Sequence, residues 1–402
     1  MNADIIIVGS GIVGMSLALS LSKENKKIII IEKNLNASKK INRVYSISEK
    51  TKFFFEDIDV WRSIKEVNNI DGMFIYYRKY SEKNLLSFTK KESNKNIGYI
   101  AQSKNIVQEL MKKIEKDEKI TFLDNCEVEL IEDNKKNIEV LTNTDVKITA
   151  SYLFSCEGSK SSIKSSLGIK NIYDDYASQA LVFNIDHEIP NKNKAYQIFL
   201  ESGPVAFLPV SSNSFSMVIS VKNEKYDDKN FCEDNILKFI KDITNNSFGK
   251  ISLSSKINTF KLIGYDSETY KSGKVLFVGD SAHSVHPLAG MGLNLGISDI
   301  IEIRDTLQKS SYKFENQNFF SGYARKQKIV NKNARQQLKL IEILYSFENN
   351  RNFVQKMFTS TEFTPELVKI YYLKFVQLEV ARVRGRGGNM SWGCGCFRLL
   401  LD

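Results

Sequence analysis

The stretch Asp4-Ile5-Ile6-Ile7-Val8-Gly9-Ser10-Gly11-Ile12-Val13-Gly14 decides how this chain folds. Four consecutive apolar residues, Ile5 to Val8, suit a strand covered on both faces, because alternation is needed only where one face meets water. The pattern G-x-G-x-x-G follows at once, and Ile12 to Lys23 then carries apolar residues at helical spacing. A second apolar run, Ile28 to Ile31, ends in Glu32. Strand, glycine turn, helix, strand and acid in that order make a dinucleotide-binding unit. Gly9 permits the tight turn, Gly11 lets the backbone approach a pyrophosphate, and Gly14 lets helix pack on strand. The helix N-terminus offers free N–H groups and a positive dipole end to phosphate. Glu32 follows at the spacing of an acid that grips a ribose hydroxyl. Taken alone, the motif suits NAD and FAD equally.

Working outward, the chain has 402 residues, 42% of them hydrophobic, enough material for two or three domains. The five cysteines lack paired spacing; Cys126, Cys156 and Cys232 read as packing thiols, and Cys394 and Cys396 have no nearby histidine to complete a metal site. No metal is expected, and a reducing compartment fits. The net charge of +10 comes from lysines scattered in pairs, such as Lys26-Lys27 and Lys135-Lys136, which read as a solvated basic surface. A nucleic-acid partner would need a concentrated basic face with aromatic platforms, and the sequence has neither. No stretch approaches the roughly 18 apolar residues of a membrane span. Asp4 to Gly14 reads as buried strand and turn rather than signal peptide. The expected location is cytoplasmic, or peripheral to the inner face of a membrane.

The middle of the chain changes character. Ser48 to Trp61 reads as a capped helix with Phe53, Phe54 and Phe55 packed inward, Ile70 to Phe88 as strand with a polar tip, and Lys104 to Glu118 as an amphipathic helix. From Ala180 to Val221 apolar residues alternate, as in Leu181-Phe183-Ile185 and Phe215-Met217-Ile219, which predicts an antiparallel sheet. Phe231 to Ile243 reads as helix, Lys274 to Val278 as a buried strand, and Phe319 to Val380 as mostly helical. The expected fold is α/β (α+β). A Rossmann-like domain is assembled from 1–70, 98–175 and 262–345, a sheet domain from 71–97 and 176–261, and 346–402 forms a helical region and tail.

A second signature stands far from the first: Val278-Gly279-Asp280-Ser281-Ala282-His283, continuing Pro287-Leu288-Ala289-Gly290-Met291-Gly292-Leu293-Asn294. A buried strand here delivers a carboxylate suited to a polyol chain, and a glycine turn opens another helix N-terminus suited to an electron-rich ring oxygen. At this point the chain resembles the group A flavoprotein aromatic hydroxylases of the para-hydroxybenzoate hydroxylase fold. In that family Asp280 would hold the ribityl chain of FAD, and Gly290, Gly292, Leu293 and Asn294 would face the isoalloxazine. Arg43 is placed like the family arginine that contacts the cofactor, and Gln102 like the residue that meets the FAD phosphate region. Tyr152 to Gly158 resembles the family's middle motif, associated with the flavin pyrophosphate and NAD(P)H. Glu157 stands there for Asp, Gly158 is retained, and the basic position falls on Lys164. Within the group the likeness is to the ubiquinone-biosynthesis hydroxylases, through Phe199 to Pro209 (F-x-x-x-G-P-x-A-x-L-P) and His283 to Gly290, although Met291 replaces their usual Gln.

The resemblance implies that NAD(P)H reduces FAD and that a flavin hydroperoxide hydroxylates an aromatic ring, with O2 as the oxygen source and a polyprenylated ubiquinone precursor as substrate. Pro287, Gly290 and Gly292 would lie against the flavin, and no acid or base is assigned; His283 and His286 read as loop-holding residues. The pocket is expected near Phe199, Phe207 and Pro209. Three other readings stand: hydroxylation of another aromatic substrate, prenyl-lipid reduction on the same fold, or a non-catalytic FAD-bound scaffold in a quinone-biosynthesis complex. The basic surface and the segment Leu367 to Val380 suit either an anionic membrane face or docking on the core. The tail Arg382 to Asp402 matches nothing in the family.

Overall fold

The computed structural model describes residues 1–35, 43–78, 80, 86–90, 96–134, 136–226, 232–285, 290–309 and 318–346. Along the chain, β1 is Ile5–Val8, α1 Ile12–Lys23, β2 Ile28–Glu32, β3 Val44–Ile47, α2 Glu49–Asp57, β4 Asn68–Ile70, β5 Gly72–Tyr77, β6 Leu86–Thr89, β7 Gly98–Gln102, α3 Ser103–Ile114 and β8 Ile120–Asp124. There follow β9 Val128–Asp133, β10 Ile138–Thr142, β11 Lys147–Ala150, β12 Tyr152–Ser155, α4 Ser162–Ser166, β13 Asn171–His187, β14 Lys194–Leu200, β15 Gly203–Ser211, β16 Ser214–Lys222 and α5 Glu233–Thr244. The last elements are β17 Ile251–Leu253, β18 Asn258–Ser267, β19 Lys271–Ser272, β20 Val275–Phe277, β21 His283–Ser284, α6 Met291–Lys309 and α7 Ser321–Ser346.

Among these residues one sheet runs β19-β20-β12-β1-β2-β8, parallel except for the β19–β20 pair. Its two faces explain the unbroken apolar run of β1. Ile5 and Ile7 pack into a core with Leu17, Leu21, Leu110 and Ile300 from α1, α3 and α6. Ile6 and Val8 point the other way, into a core shared with Val140 and Ile148 of the β9-β10-β11 meander. With both faces covered there is no place for a polar residue.

The second sheet runs β21-β18-β13-β16-β15-β14-β5-β6, with β17 also pairing β13. The alternation read from the sequence sorts its faces: Phe183, Ile198, Phe207, Phe215 and Met217 share a core with Ile236 and Ile240 of α5. The opposite face carries Ile75, Ala195 and Phe199, packed with Ile70 and Ile100 of the small β3-β7-β4 sheet. One pair departs from the antiparallel expectation: β5 and β14 are parallel. The segment supplying β5 arrives from far upstream rather than through a hairpin, so nothing forces reversal.

Local signals mostly act as the sequence suggests. Ser48 caps α2 by accepting from the Thr51 N–H, and α5 ends at Asn245 in the left-handed region. Phe54 and Phe55 are buried, but Phe53 is 54% exposed, because a run of three cannot all face inward on a helix. Cys232 is exposed at the N-cap of α5, so it is not a packing thiol, whereas Cys126 and Cys156 are buried. Phe231, the segment Leu367 to Val380, and Cys394 and Cys396 lie outside the described residues. No described helix is long and apolar enough to cross a membrane.

Candidate active site

Strand order builds the site. Because β20, β12, β1 and β2 lie side by side and parallel, their carboxyl ends deliver four separate sequence features to one edge. These are Gly279-Asp280 after β20, Glu157-Gly158 after β12, the glycine turn after β1, and Glu32 closing β2. Such an edge, at a reversal of strand order, is where open parallel sheets bind ligands. A cleft of about 830 Å³ opens there, lined by Gly9, Gly11, Glu32, Arg43, Tyr45 and Gly158, with Ser103 and Lys104 at its side.

The first glycine motif is shaped as its spacing implies. Gly9 has φ +104°, and a Cβ there would sit 2.5 Å from the Cys156 carbonyl oxygen. A Cβ on Gly14 would meet the Gly9 carbonyl oxygen at 2.0 Å, so helix and strand touch through backbone. At Gly11 nothing lies within 4 Å of that position, and no side chain caps α1. Uncapped amide donors thus face open space in the cleft, a cradle that fits a pyrophosphate. Glu32 is held in place by the Ser10 N–H and hydroxyl, at 2.7 and 2.8 Å to Oε2, and by the Asn34 N–H at 2.8 Å to Oε1.

Arg43 and Gln102, distant in sequence, meet where β3 pairs with β7: Val44 stands opposite Gln102, the Arg43 N–H donates to Ser103 Oγ, and the Ser103 N–H donates to the Arg43 carbonyl at 2.7 Å. Gln102 is the N-cap position of α3, while its neighbours Ser103 and Lys104 form the cleft wall. Tyr45 lies beside Arg43; burial pushes its phenol pKa up, and Arg43 pulls the other way.

The middle motif turns inward. The Glu157 carboxylate accepts from the hydroxyls of Ser155, Ser161 and Ser162, at 3.0, 2.5 and 2.6 Å, and from the N–H groups of Ser162 and Ile163 at the start of α4. Lys164 is buried, and its ammonium donates to Asn171 Oδ1 at 2.7 Å, the Ser281 carbonyl at 2.9 Å and Ser267 Oγ at 3.2 Å. Burial lowers its pKa, against a pull upward from Glu157. Ser281 Oγ in turn accepts from the Gly158 N–H at 3.0 Å. The motif therefore grips the second signature from below, a role that only the folded contacts reveal.

In the second signature, Asp280 is exposed on the turn after β20; the protein around its carboxyl pushes the pKa up, with His283 and then Arg43 opposing. The Tyr265 hydroxyl donates to the Asp280 carbonyl. Gly290 approaches Ser46, whose Cβ lies 2.9 Å from where a Gly290 Cβ would be, and Gly292 faces open space. Leu293 is buried in the core. Asn294 is committed to protein: its amide donates to the carbonyls of Ser46 and Gly290, and its oxygen accepts from the Ser48 N–H and the Thr51 hydroxyl. His286 and Pro287 lie outside the described residues.

The residues expected to line a substrate pocket are not brought together. Phe199 belongs to the sheet face turned toward β3-β7-β4, whereas Phe207 is fully buried on the opposite face beneath α5. Pro209 follows the period of Phe207 and is buried as well. Leu208 and Val210, passed over in the sequence, share the face of Phe199. The hairpin pairing of Tyr196 with Phe207 was the available signal, since a residue three positions from Tyr196 must face the other way.

A family described as "FAD binding domain" matches residues 2–317. The chain belongs to that family. It is an FAD-dependent monooxygenase, as the family and the relatives below together show, and the cradle at Gly11 fits the cofactor. A ubiquinone hydroxylase of Neisseria meningitidis is 21% identical over 314 residues, spanning 74% of this chain and 67% of that protein. A mitochondrial ubiquinone biosynthesis monooxygenase of Dictyostelium discoideum is 24% identical over 379 residues, 76% of each chain. Among solved structures, p-nitrophenol 4-monooxygenase from Pseudomonas putida superposes with a TM-score of 0.77 at 14% identity, covering 94% of this chain and 99% of that one.

Proposed function

We propose that the protein hydroxylates the aromatic ring of a polyprenylated ubiquinone precursor, with NAD(P)H as electron donor and O2 as oxygen source. One oxygen atom enters the ring and the other leaves as water, the nicotinamide supplying two electrons. FAD, when bound, supplies the redox chemistry; the chain supplies placement and exclusion of water. On this reading Gly9, Gly11, Gly14 and Glu32 hold the adenosine half of FAD. Arg43, Gln102 and Gly158 stand along its phosphates, and Asp280, Gly290, Gly292 and Leu293 hold the flavin half. Asn294 acts by fixing the turn. No side chain is assigned as acid or base.

The observation that carries the substrate is the apolar sheet face of Phe199, Leu208, Val210, Met73 and Tyr77, which packs beside Val44 in the strand next to Arg43. A greasy wall adjoining the cofactor strand suits a ring with a prenyl tail, and the names of the two relatives point the same way. The net charge of +10 suits work at an anionic membrane face, where such precursors reside. Complementation of strains blocked at each ring-hydroxylation step tests this, with mass spectrometry of the accumulating intermediate giving the ring position. Restored quinone at one step supports the reading. Failure at every step refutes it, and oxygen uptake with a small soluble phenol instead would identify a different aromatic substrate.

A further inference from the structure

Beneath the Gly279–Asp280 turn lies a buried charge pair that the proposed chemistry does not use. Asp299 of α6 is fully buried, and its Oδ2 accepts from His283 Nε2 at 2.8 Å and from the Gly279 N–H at 2.9 Å. Its Oδ1 has no hydrogen-bond partner among the described residues. A half-satisfied carboxylate in the interior is costly unless a cation stands against it. His283, 1% exposed, is the group in position to be that cation. Three carboxylates reinforce this, while the nearby cations are engaged elsewhere, Lys164 on the Ser281 carbonyl and Arg335 on Asp266. Asp299 faces it from α6, Asp280 from its own turn and Asp266 from β18, with the Tyr270 ring 5.7 Å away. Burial pushes the His283 pKa down, but these carboxylates, Asp299 foremost, carry it above its ordinary value. Asp266 has other partners, the Tyr270 hydroxyl at 2.6 Å and Arg335 at 3.4 Å, so it competes little for the imidazole.

Gly279 has φ +59°, and its N–H is fixed by the same oxygen that His283 holds. The pair therefore sets both the shape of the turn and the charge felt by Asp280. We propose that His283, protonated and held by Asp299, is a positioning residue for FAD: a charged pin that fixes the Gly279–Asp280 turn in its binding geometry and keeps Asp280 ionised. Loss of the proton loosens the turn and leaves two carboxylates facing each other. The inference concerns FAD alone and is independent of which ring the enzyme hydroxylates.

The test is FAD affinity of the apoprotein, read from quenching of flavin fluorescence over a pH series that runs upward from the ordinary imidazole pKa of about 6.5. The native protein should lose about tenfold or more in affinity as pH rises through that titration. His283→Gln keeps an N–H donor toward Asp299 without the charge; it should bind FAD about tenfold more weakly at low pH and show no step. Asp299→Asn removes the demand for the proton and should flatten the profile too. A native affinity that does not change with pH overturns the proposal without reference to any variant. So does a folded His283→Gln protein, checked by circular dichroism, that binds FAD with native affinity and the native step.

Discussion

Two glycines three residues apart should fail in different ways when each becomes alanine. In Gly14→Ala the new methyl carbon would lie 2.0 Å from the Gly9 carbonyl oxygen, well inside contact distance. The obstructing atom is backbone, and Gly9 is itself pinned by its N–H bond to the Ile31 carbonyl at 2.9 Å. Relief requires α1 to move off β1, so the cost should reach or pass about 3 kcal/mol, the upper range of overpacking. If the chain unfolds as one unit, with about 2.1 cal/mol/K of unfolding entropy per residue, that corresponds to a fall of about 4 °C in the Tm of the apoprotein. In Gly11→Ala the methyl meets nothing within 4 Å, so the apoprotein should melt as the native one does. The group projects into the cleft, and FAD affinity should fall by about tenfold or more, a loss of about 1.4 kcal/mol. Scanning calorimetry of the apoproteins and fluorescence titration with FAD separate the two effects. A Gly14→Ala protein with native Tm, or a Gly11→Ala protein with native FAD affinity, would refute the assignment of these glycines.

Lys164→Met removes a buried ammonium from three acceptors and should cost about 1–3 kcal/mol in denaturant unfolding, with the unsatisfied Ser281 carbonyl the main reason. Phe207→Ala should cost about 3–5 kcal/mol of stability, because the ring is fully buried under α5, while leaving FAD affinity near native. Leu208→Trp, on the other face, should instead reduce turnover of a prenylated substrate in an oxygen-uptake assay with little change in Tm. His187 stacks on Phe215 with centroids 4.5 Å apart, and burial lowers its pKa. Its contribution to stability is whole above about pH 6.5 and is lost as pH falls through the depressed native value, so His187→Gln should flatten that part of a Tm–pH curve.

What the sequence displays and what it hides follow from the range of the interactions. The opening strand, turn and helix are fixed within a dozen neighbours, by an apolar run and by glycines whose absent side chains matter locally. Alternation in β13 to β16 likewise assigns residues to common faces. It cannot say which face looks toward the cofactor, and so Phe199 and Phe207 read as one pocket although they lie back to back. Lys164 reads as a motif cation because two of its three partners, Ser267 and Ser281, are more than a hundred positions away. The parallel pairing of β5 with β14 is hidden for the same reason: its register depends on a crossover, and no turn residue announces it. Asn294 sits in a legible motif, yet its three bonds to Ser46, Ser48 and Thr51 emerge only once α6 packs against β3 and α2.

The strand order β20-β12-β1-β2 also has a consequence in time. During synthesis β1 emerges first, but its sheet neighbour β12 comes late, at residues 152–155, and β20, which pairs β12, at 275–277. At about 5–20 residues per second, β1 waits on the order of ten seconds for β12, and β20 arrives later still. Through that interval the wholly apolar strand β1 has an open edge, and the phosphate cradle beside it lacks the wall supplied by Cys156 and Gly158. FAD can therefore act on folding only near the end, as a late wedge that locks three separately made pieces of chain together. A cell short of flavin should therefore complete the apoprotein but lose more of it to proteolysis at this edge than it loses of the FAD-bound form.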